Sequence, residues 1–247
     1  MADAIRIALW NANGLIQRRN ELEIFLHTEK IDIILVSETH FTNKSYFSIP
    51  NYKCYSTQHP EDTTHGGTAI LIKKSILHHE LEKYEKSFLQ ATSINITCNN
   101  RSNIVVSALY CPPRHSISKE QFSSFFETLG PKFLAGGDFN AKHTNWGSRL
   151  ITPKGRSLFN SIILNGYNTL TTRKPTYWPT DPNRCPDLLD FFISKGLSNS
   201  YTCIEESLEL SSDNTPVIFT ISSTLIKTKI YPTLCNKRTN WRFARKY

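Results

Sequence analysis

No stretch of this sequence reaches the ~18 consecutive apolar residues that a membrane-spanning helix needs, so no membrane partner is expected. Residues Met1 to Trp10 are too short and too mixed for a secretory leader. The six cysteines, at 54, 98, 111, 185, 203 and 235, include no Cys-x-x-Cys pair and have no histidines at zinc-ligand spacing beside them. That argues against a disulfide or zinc framework and for a reducing compartment. No internal repeat and no low-complexity segment is present, which leaves one globular body as the expectation. Excess charge is also scarce over most of the chain. The net charge is +8, yet seven basic residues (Lys227, Lys229, Lys237, Arg238, Arg242, Arg245 and Lys246) lie in the tail with no acid among them, so residues 1–226 carry a net of only +1. Charge points to nucleic acid at the tail and says little about the body.

The 247 residues suffice for one sizeable core, and 20% charged with 39% hydrophobic residues is an ordinary soluble composition. Ile5–Trp10 reads as a strand broken by Gly14, and Glu21–Lys30 as an amphipathic helix with Leu22, Phe25 and Leu26 inward. The continuous run Ile31–Val36 predicts a central strand buried on both faces. Thr42–Thr64 is polar and aromatic and reads as a long loop. Strands follow at Gly67–Ile72, Ala91–Thr97 and Asn103–Tyr110, the last stopped by Cys111-Pro-Pro113. A helix over Ser118–Leu129, capped by Ser116 or Ser118, precedes a short strand at Lys132–Gly136. A second amphipathic helix spans Pro153–Asn165, and strands at Leu188–Ile193 and Pro216–Ile221 close the pattern. The expected fold class is α/β (α+β): two packed sheets flanked by helices in one domain, residues 1–224, with 225–247 as a basic extension.

The residues suited to chemistry sit in short polar groups at the ends of apolar strands, where one rim of a sheet can gather them. Asn11 and Asn13 follow the first strand and can donate to phosphate oxygens or orient a metal-bound water, although Asn-x-Asn-Gly is also a good turn. Glu38 stands two residues past the buried strand, where a carboxylate can bind a hard cation such as Mg²⁺. In Gly136-Gly-Asp138-Phe-Asn140 the glycines allow a tight turn, and Asp138 and Asn140 alternate to point the same way. Asp190 enters a buried strand, a costly position for an unpaired acid. Ser212-Asp213-Asn214 leads into the last strand.

Together and in this order, Trp10-Asn-Ala-Asn-Gly14, Ser37-Glu-Thr39, Tyr110-Cys-Pro-Pro113, Gly137-Asp-Phe-Asn140, Leu189-Asp-Phe191 and Ser212-Asp-Asn214 resemble the endonuclease/exonuclease/phosphatase family from Ile5 to about Ile221. The resemblance implies a DNase I-like β-sandwich and a Mg²⁺ (or Mn²⁺) cofactor. It implies a metal site of Glu38, the direct ligand, with Asn11 and with Asp213 nearby. It further implies that Tyr110 contacts the scissile phosphate, Asp138 orients or deprotonates the attacking water, Asn140 holds the phosphate and Asp190 orients a catalytic histidine. The family's Ser-Asp-His is Ser-Asp-Asn here, so the histidine position is Asn214. Asparagine does not titrate near pH 7, and a folded domain with severely reduced cleavage is expected, an engineered inactive form being favoured over decay of one element copy.

Within the family, Asn13-Gly-Leu15, His65-Gly-Gly67 and Tyr110-Cys-Pro-Pro113 resemble insect Jockey-type LINE (non-LTR) retrotransposons. Asn236-Lys-Arg-Thr-Asn-Trp241-Arg-Phe243 resembles the segment joining that endonuclease to its reverse transcriptase. The implied partners are double-stranded chromosomal DNA, met in the nucleus, and the reverse transcriptase domain of the same polyprotein; the isolated domain is expected to be a monomer. The implied reaction is a nick whose 3′ hydroxyl primes reverse transcription. Arg173, Lys174, Tyr177, Trp178 and Arg184 form a candidate DNA-reading segment, with Thr176 on the DNA backbone. The competing readings are an apurinic-site repair endonuclease, disfavoured by the Thr-Asn-Trp tail, an inositol lipid phosphatase, disfavoured by missing motifs, and a non-catalytic DNA- or protein-binding module, kept open by Asn214.

Overall fold

The computed structural model describes residues 4–97, 103–198 and 201–222; the basic extension expected at 225–247 lies outside them. Two βαβ crossovers organise the chain, one in each sheet. Strands β1 (Ala4–Asn11) and β2 (Ile33–Ser37) are parallel neighbours joined through α1 (Arg19–Thr28), which a short 3-10 turn at Ile16–Arg18 precedes. Strands β8 (Asn103–Tyr110) and β9 (Phe133–Asp138) are parallel neighbours joined through α2 (Lys119–Thr128).

Antiparallel strands extend both pairs. Strands β3 (Tyr52–Thr57), β4 (Thr68–Lys73), β12 (Thr202–Glu206) and β13 (Val217–Ser222) complete a six-stranded sheet in the order β12-β13-β1-β2-β4-β3. The second sheet adds β5 (His78–Glu80), β6 (Tyr84–Lys86), β7 (Leu89–Thr97), β10 (Asn168–Leu170) and β11 (Asp190–Lys195), in the order β10-β11-β9-β8-β7-β5 with β6 also on β7.

Alternation along the strands sends one set of side chains between the sheets and the other outward. Ile7, Leu9, Ile33, Leu35, Val106, Leu134, Phe192 and Phe219 fill the space between the sheets. On the outer face of the first sheet Ala8, Trp10, Ile34 and Val36 pack under Leu22, Phe25 and Leu26 of α1. On the outer face of the second, Phe133, Ala135, Phe191 and Ile193 pack under α2 and under α3 (Pro153–Asn165). Central strands covered on both faces are why Ile33-Ile-Leu-Val36 is an unbroken apolar run. Of the two serines offered as a cap for α2, Ser118 takes the role: its hydroxyl accepts from the Gln121 N–H (3.2 Å), and the Gln121 carboxamide oxygen accepts from the Ser118 N–H (2.8 Å).

The expectation of one loop over 42–64 needs correcting, because Tyr52–Thr57 is strand β3 on the edge of the first sheet. Only its Thr57 is buried, so the run lacks the apolar signature of an inner strand. The short strands β5, β6 and β10 and the edge strand β12 escape the sequence for the same reason. Helix α1 starts at Arg19 rather than Glu21.

Candidate active site

In a parallel pair both strands end on the same side, and here the carboxyl ends of both central pairs meet. Asn11 ends β1, Glu38 directly follows β2, Tyr110 ends β8 and Asp138 ends β9. Strands β11 and β13 run antiparallel to β9 and β1, so their beginnings reach the same rim, bringing Asp190 opposite Asp138 in register and Asp213 and Asn214 just before β13. Six distant segments thus close on one cleft.

Ser37 ties the two sheets together beneath it, its hydroxyl donating to the Leu109 carbonyl (2.8 Å) and accepting from the Asp138 N–H (3.2 Å). Asp138 is nearly enclosed and well satisfied. Its Oδ2 accepts from the side chains of Asn11 (3.0 Å) and Asn140 (2.9 Å), and its Oδ1 from the Asn140 N–H (2.8 Å). The Asn11 carbonyl oxygen of the side chain accepts from the Asn13 N–H (3.0 Å), so the Asn-x-Asn turn itself orients the amide toward Asp138. Ser212 accepts from the Trp10 indole (2.7 Å) and from the Asn214 N–H (3.1 Å), and donates to the Asn11 carbonyl (2.8 Å), fastening the last polar group to the first.

The carboxylates of Glu38, Asp138, Asp190 and Asp213 crowd this rim. Burial pushes Asp138 well above the usual carboxylate range, and the charges of Asp190 and Glu38 push it further. Burial raises Asp190 to about 7, with Glu38 and Asp213 adding to the effect against a hydrogen bond from Thr176. Glu38 differs: burial alone would raise it, but His40, Asn11 and Tyr110 favour its anion and hold it below the ordinary value. His40 Nε2 lies 3.7 Å from the Glu38 carboxylate. Burial, Glu38 and Asp138 drive the Tyr110 phenol upward, so it is a neutral donor.

The donor set is oxygen-rich and mutually repulsive, which suits a hard divalent cation. Among the described residues no three His, Cys, Asp or Glu side chains form a complete cage. A hard cation of the Mg²⁺ kind needs only one or two carboxylates, with water and a substrate phosphate for the rest. Glu38, already an anion, is the group best fitted to hold it.

Asn214 is buried, and its side-chain amide donates to Asp213 Oδ1 (3.0 Å). It does not reach Asp190, whose Oδ1 is buried without a hydrogen-bond partner. The other oxygen of Asp190 accepts from the Thr176 hydroxyl (2.9 Å), which itself accepts from the N–H groups of Leu189 (3.1 Å) and Asp190 (3.0 Å). Thr176 is 2% exposed, so the expectation that it touches the DNA backbone is corrected: its hydroxyl is spent inside the chain, steadying Asp190.

The unpaired oxygen leads to a prediction. Asp190 gives up its proton near neutrality in the folded chain and near the usual ~3.9 when unfolded. Between those values the folded state holds the proton and the unfolded state does not, so stability falls as pH rises through that window. Asp190→Asn removes the fall. In EDTA it is expected to raise Tm by about 3–6 °C at pH 8.5 and by little at pH 5. Thermal melts at both values check it; an equal difference at both would show that the buried charge of Asp190 is not the cause.

The cleft, about 590 Å³, is lined by Asn11, Asn13, Glu38, Asp138, Asn140, Tyr177, Arg184, Asp213 and Asn214. Tyr110 and Asp190 stand behind that lining. Arg173 and Trp178 are exposed outside it. The Trp178 indole donates to the Thr215 hydroxyl (2.9 Å), and the Trp178 N–H to the Asp213 carbonyl (2.8 Å), which fixes the reading segment against the last polar group.

Sequence reasoning missed Lys142, Arg149 and Asp187, which also line the cleft. Asp187 is buried, pairs with the Lys142 ammonium (2.9 Å) and accepts from the Arg149 N–H (3.0 Å). The signal available was a basic residue two places after Asn140, too common in loops to single out. Lys154 is another: its ammonium, enclosed at the start of α3, donates to the Pro112 carbonyl (2.6 Å) and braces the turn after Tyr110.

With the geometry in hand, comparison with known proteins is informative. The sequence pattern of the endonuclease/exonuclease/phosphatase family matches residues 8–213. Over 223 residues the chain is 35% identical to the RNA-directed DNA polymerase from mobile element jockey of Drosophila melanogaster, covering 90% of this chain and 24% of that protein. Over 238 residues it is 29% identical to the probable RNA-directed DNA polymerase from transposon BS of the same organism, covering 96% and 26%. The chain therefore spans only 24% and 26% of the length of these curated relatives. The solved endonuclease domain of TRAS1, a telomere-specific non-LTR retrotransposon, superposes with a TM-score of 0.73 at 20% identity, covering 88% of this chain and 98% of that one. The AP endonuclease LMAP from Leishmania major gives 0.76 at 13% identity, covering 90% and 88%. At such identities the two structures establish the shared fold.

Proposed function

The chain belongs to the endonuclease/exonuclease/phosphatase family, and from that premise we propose that it is the endonuclease domain of a LINE-type retrotransposon polyprotein, nicking double-stranded chromosomal DNA to leave a 3′ hydroxyl primer for the reverse transcriptase of the same polyprotein. The observation that carries the reading is the convergence of Asn11, Glu38, Asp138, Asp213 and Asn214 on one cleft from both sheets. The similarity to insect polymerase polyproteins supports the branch. The setting is the nucleus, and the isolated domain acts as a monomer.

A divalent cation, Mg²⁺ or Mn²⁺, would supply positive charge to the phosphate oxygens. Glu38 would hold it, with help from Asn11 and Asp213. Asp138 takes the proton of the attacking water. Burial and the charges of Asp190 and Glu38 push its carboxyl well above the usual range, which makes it a better proton acceptor than an ordinary aspartate, while Asn11 and Asn140 fix its orientation. Tyr110 donates its phenol proton to a phosphate oxygen, and Asn140 holds the same group. Asn214 replaces the group that would protonate the leaving 3′ oxygen, so this chain cleaves slowly.

A supercoiled plasmid incubated with Mg²⁺ tests the reading. Slow conversion to the nicked circle, abolished by EDTA and by Glu38→Gln, is expected. DNA binding without any nicking, even after histidine is restored at 214, would favour a non-catalytic binding module instead. The DNA-reading segment is tested separately. Arg184 is exposed and lines the cleft, and Arg173 is exposed and packs beside Gly147. Arg173→Ala with Arg184→Ala is expected to redistribute nicks along an end-labelled duplex and to weaken binding about tenfold. An unchanged pattern would remove the segment from recognition.

A further inference from the structure

The cleft, about 590 Å³, is small beside a DNA duplex. Bound DNA must therefore lie across the mouth, and the residues standing on the rim decide how it is held. Beside the candidate reading segment, with Gly147 against Arg173, residues 142–151 also reach that rim through Lys142, Arg149 and Leu150.

Leu150 and Ile151 are large aliphatic residues, 49% and 43% exposed. A lone exposed leucine needs no explanation. Here, however, the pair sits on a segment pinned at every neighbouring position. The Ser148 hydroxyl donates to the Leu188 carbonyl (2.9 Å). The Arg149 N–H donates to the buried carboxylate of Asp187 (3.0 Å). The Thr152 N–H donates to the Lys142 carbonyl (3.0 Å), while the Thr152 hydroxyl accepts from the Lys142 and Gly155 N–H groups (both 3.1 Å), capping α3. Asp187 is held in turn by Lys142. Two apolar side chains are thus projected into solvent from a rigid base, with the ordering cost already met inside the fold. Leu150 lines the same cleft as Glu38 and Asp138, and, with Lys142 paired to Asp187, Arg149 gives that segment its positive charge.

We propose that Leu150, backed by Ile151, is a wedge that enters the minor groove of double-stranded DNA and partly unstacks the base step next to the scissile phosphate. Apolar side chains on rigid supports unstack steps in this way, and flanking cations hold the adjacent phosphates. The wedge gives a preference without base-edge hydrogen bonds: pyrimidine–purine steps, which unstack most readily, are favoured at the cut. This inference rests on the DNA-nicking reading above.

The test uses the full chain and short duplexes carrying 2-aminopurine at successive positions, with fluorescence anisotropy reporting binding and 2-aminopurine emission reporting unstacking. The expected result is an emission rise of at least about threefold at one step on saturation. Leu150→Ala with Ile151→Ala should abolish the rise, and Leu150→Met should keep it. Both residues are exposed, so Tm should stay within about 2 °C of the parent chain. Saturated binding with no local rise, or a rise that survives in the double variant, overturns the wedge and leaves the DNA reading standing. No anisotropy change with any duplex overturns both.

Discussion

Asn214→His is expected to raise plasmid nicking in Mg²⁺ at least tenfold, toward the roughly 10²–10⁴-fold that one acid–base group contributes. The position is already built for the exchange. Its N–H is held by Ser212 and its backbone forms a bridge with Tyr177, while Thr215 next to it donates its N–H to the Thr176 carbonyl (2.7 Å). A new side chain therefore starts from a fixed backbone. The buried Oδ1 of Asp190, now without a partner, is the acceptor that an imidazole N–H would satisfy. An anionic neighbour of this kind favours the imidazolium, the form able to give a proton to the leaving oxygen. Asn214→Gln, a longer amide that cannot titrate, should give no gain. Initial nicking rates for the three proteins decide the matter. Equal rates for the parent and the histidine form, with both folded and DNA-bound, would remove position 214 from catalysis.

Gly137→Ala is expected to cost the chain most of its stability. A Cβ on Gly137 would lie 1.8 Å from the Leu109 carbonyl oxygen, a backbone atom of the paired strand β8. Neither partner can move without parting the central parallel pair, and β8 and β9 carry Tyr110 and Asp138 at their ends. A loss of about 3–5 kcal/mol is large against the ~5–15 kcal/mol of a typical domain. For a chain of this size it lowers Tm by roughly 10 °C or leaves the protein insoluble. Any soluble fraction should nick poorly even with histidine at 214, because the Asp138 N–H would leave the Ser37 hydroxyl. A Tm within about 2 °C of the parent would show that the strands can separate more cheaply than this packing implies.

The arrangement of four carboxylates explains why the site sets these requirements. Asp138 and Asp190 face one another across β9 and β11, both pushed upward first by burial, Asp138 further by Asp190 and Glu38 and Asp190 further by Glu38 and Asp213, whereas Glu38 is kept anionic by the polar groups around it. Such separation of titration behaviour suits the proposed roles: a lasting anion to hold a cation, and a carboxyl raised above the usual range to accept a proton.

Much of this was legible in the residues. Continuous apolar runs such as Ile33–Val36 identify strands buried on both faces, because no polar residue can be tolerated there. The polar groups after those runs mark the site, since a carboxylate beside a buried strand is costly unless it is used. The edge strand Tyr52–Thr57 was hidden, because one face in water removes the constraint that writes a pattern into sequence. Thr176 read as a DNA contact from its neighbours Arg173 and Tyr177, yet its hydroxyl turns inward to Asp190; a side chain's direction depends on partners far along the chain. Asp187, Lys142 and Arg149 stayed invisible for the same reason, their pairing spanning some forty positions that only folding brings together. The sequence by itself thus determined which segments are buried and which residue types stand at their ends, because burial and backbone period act locally. Only the tertiary structure decided that Asp190 is left with an unpaired oxygen and that Leu150 stands at the mouth of the cleft, because both follow from where two sheets meet.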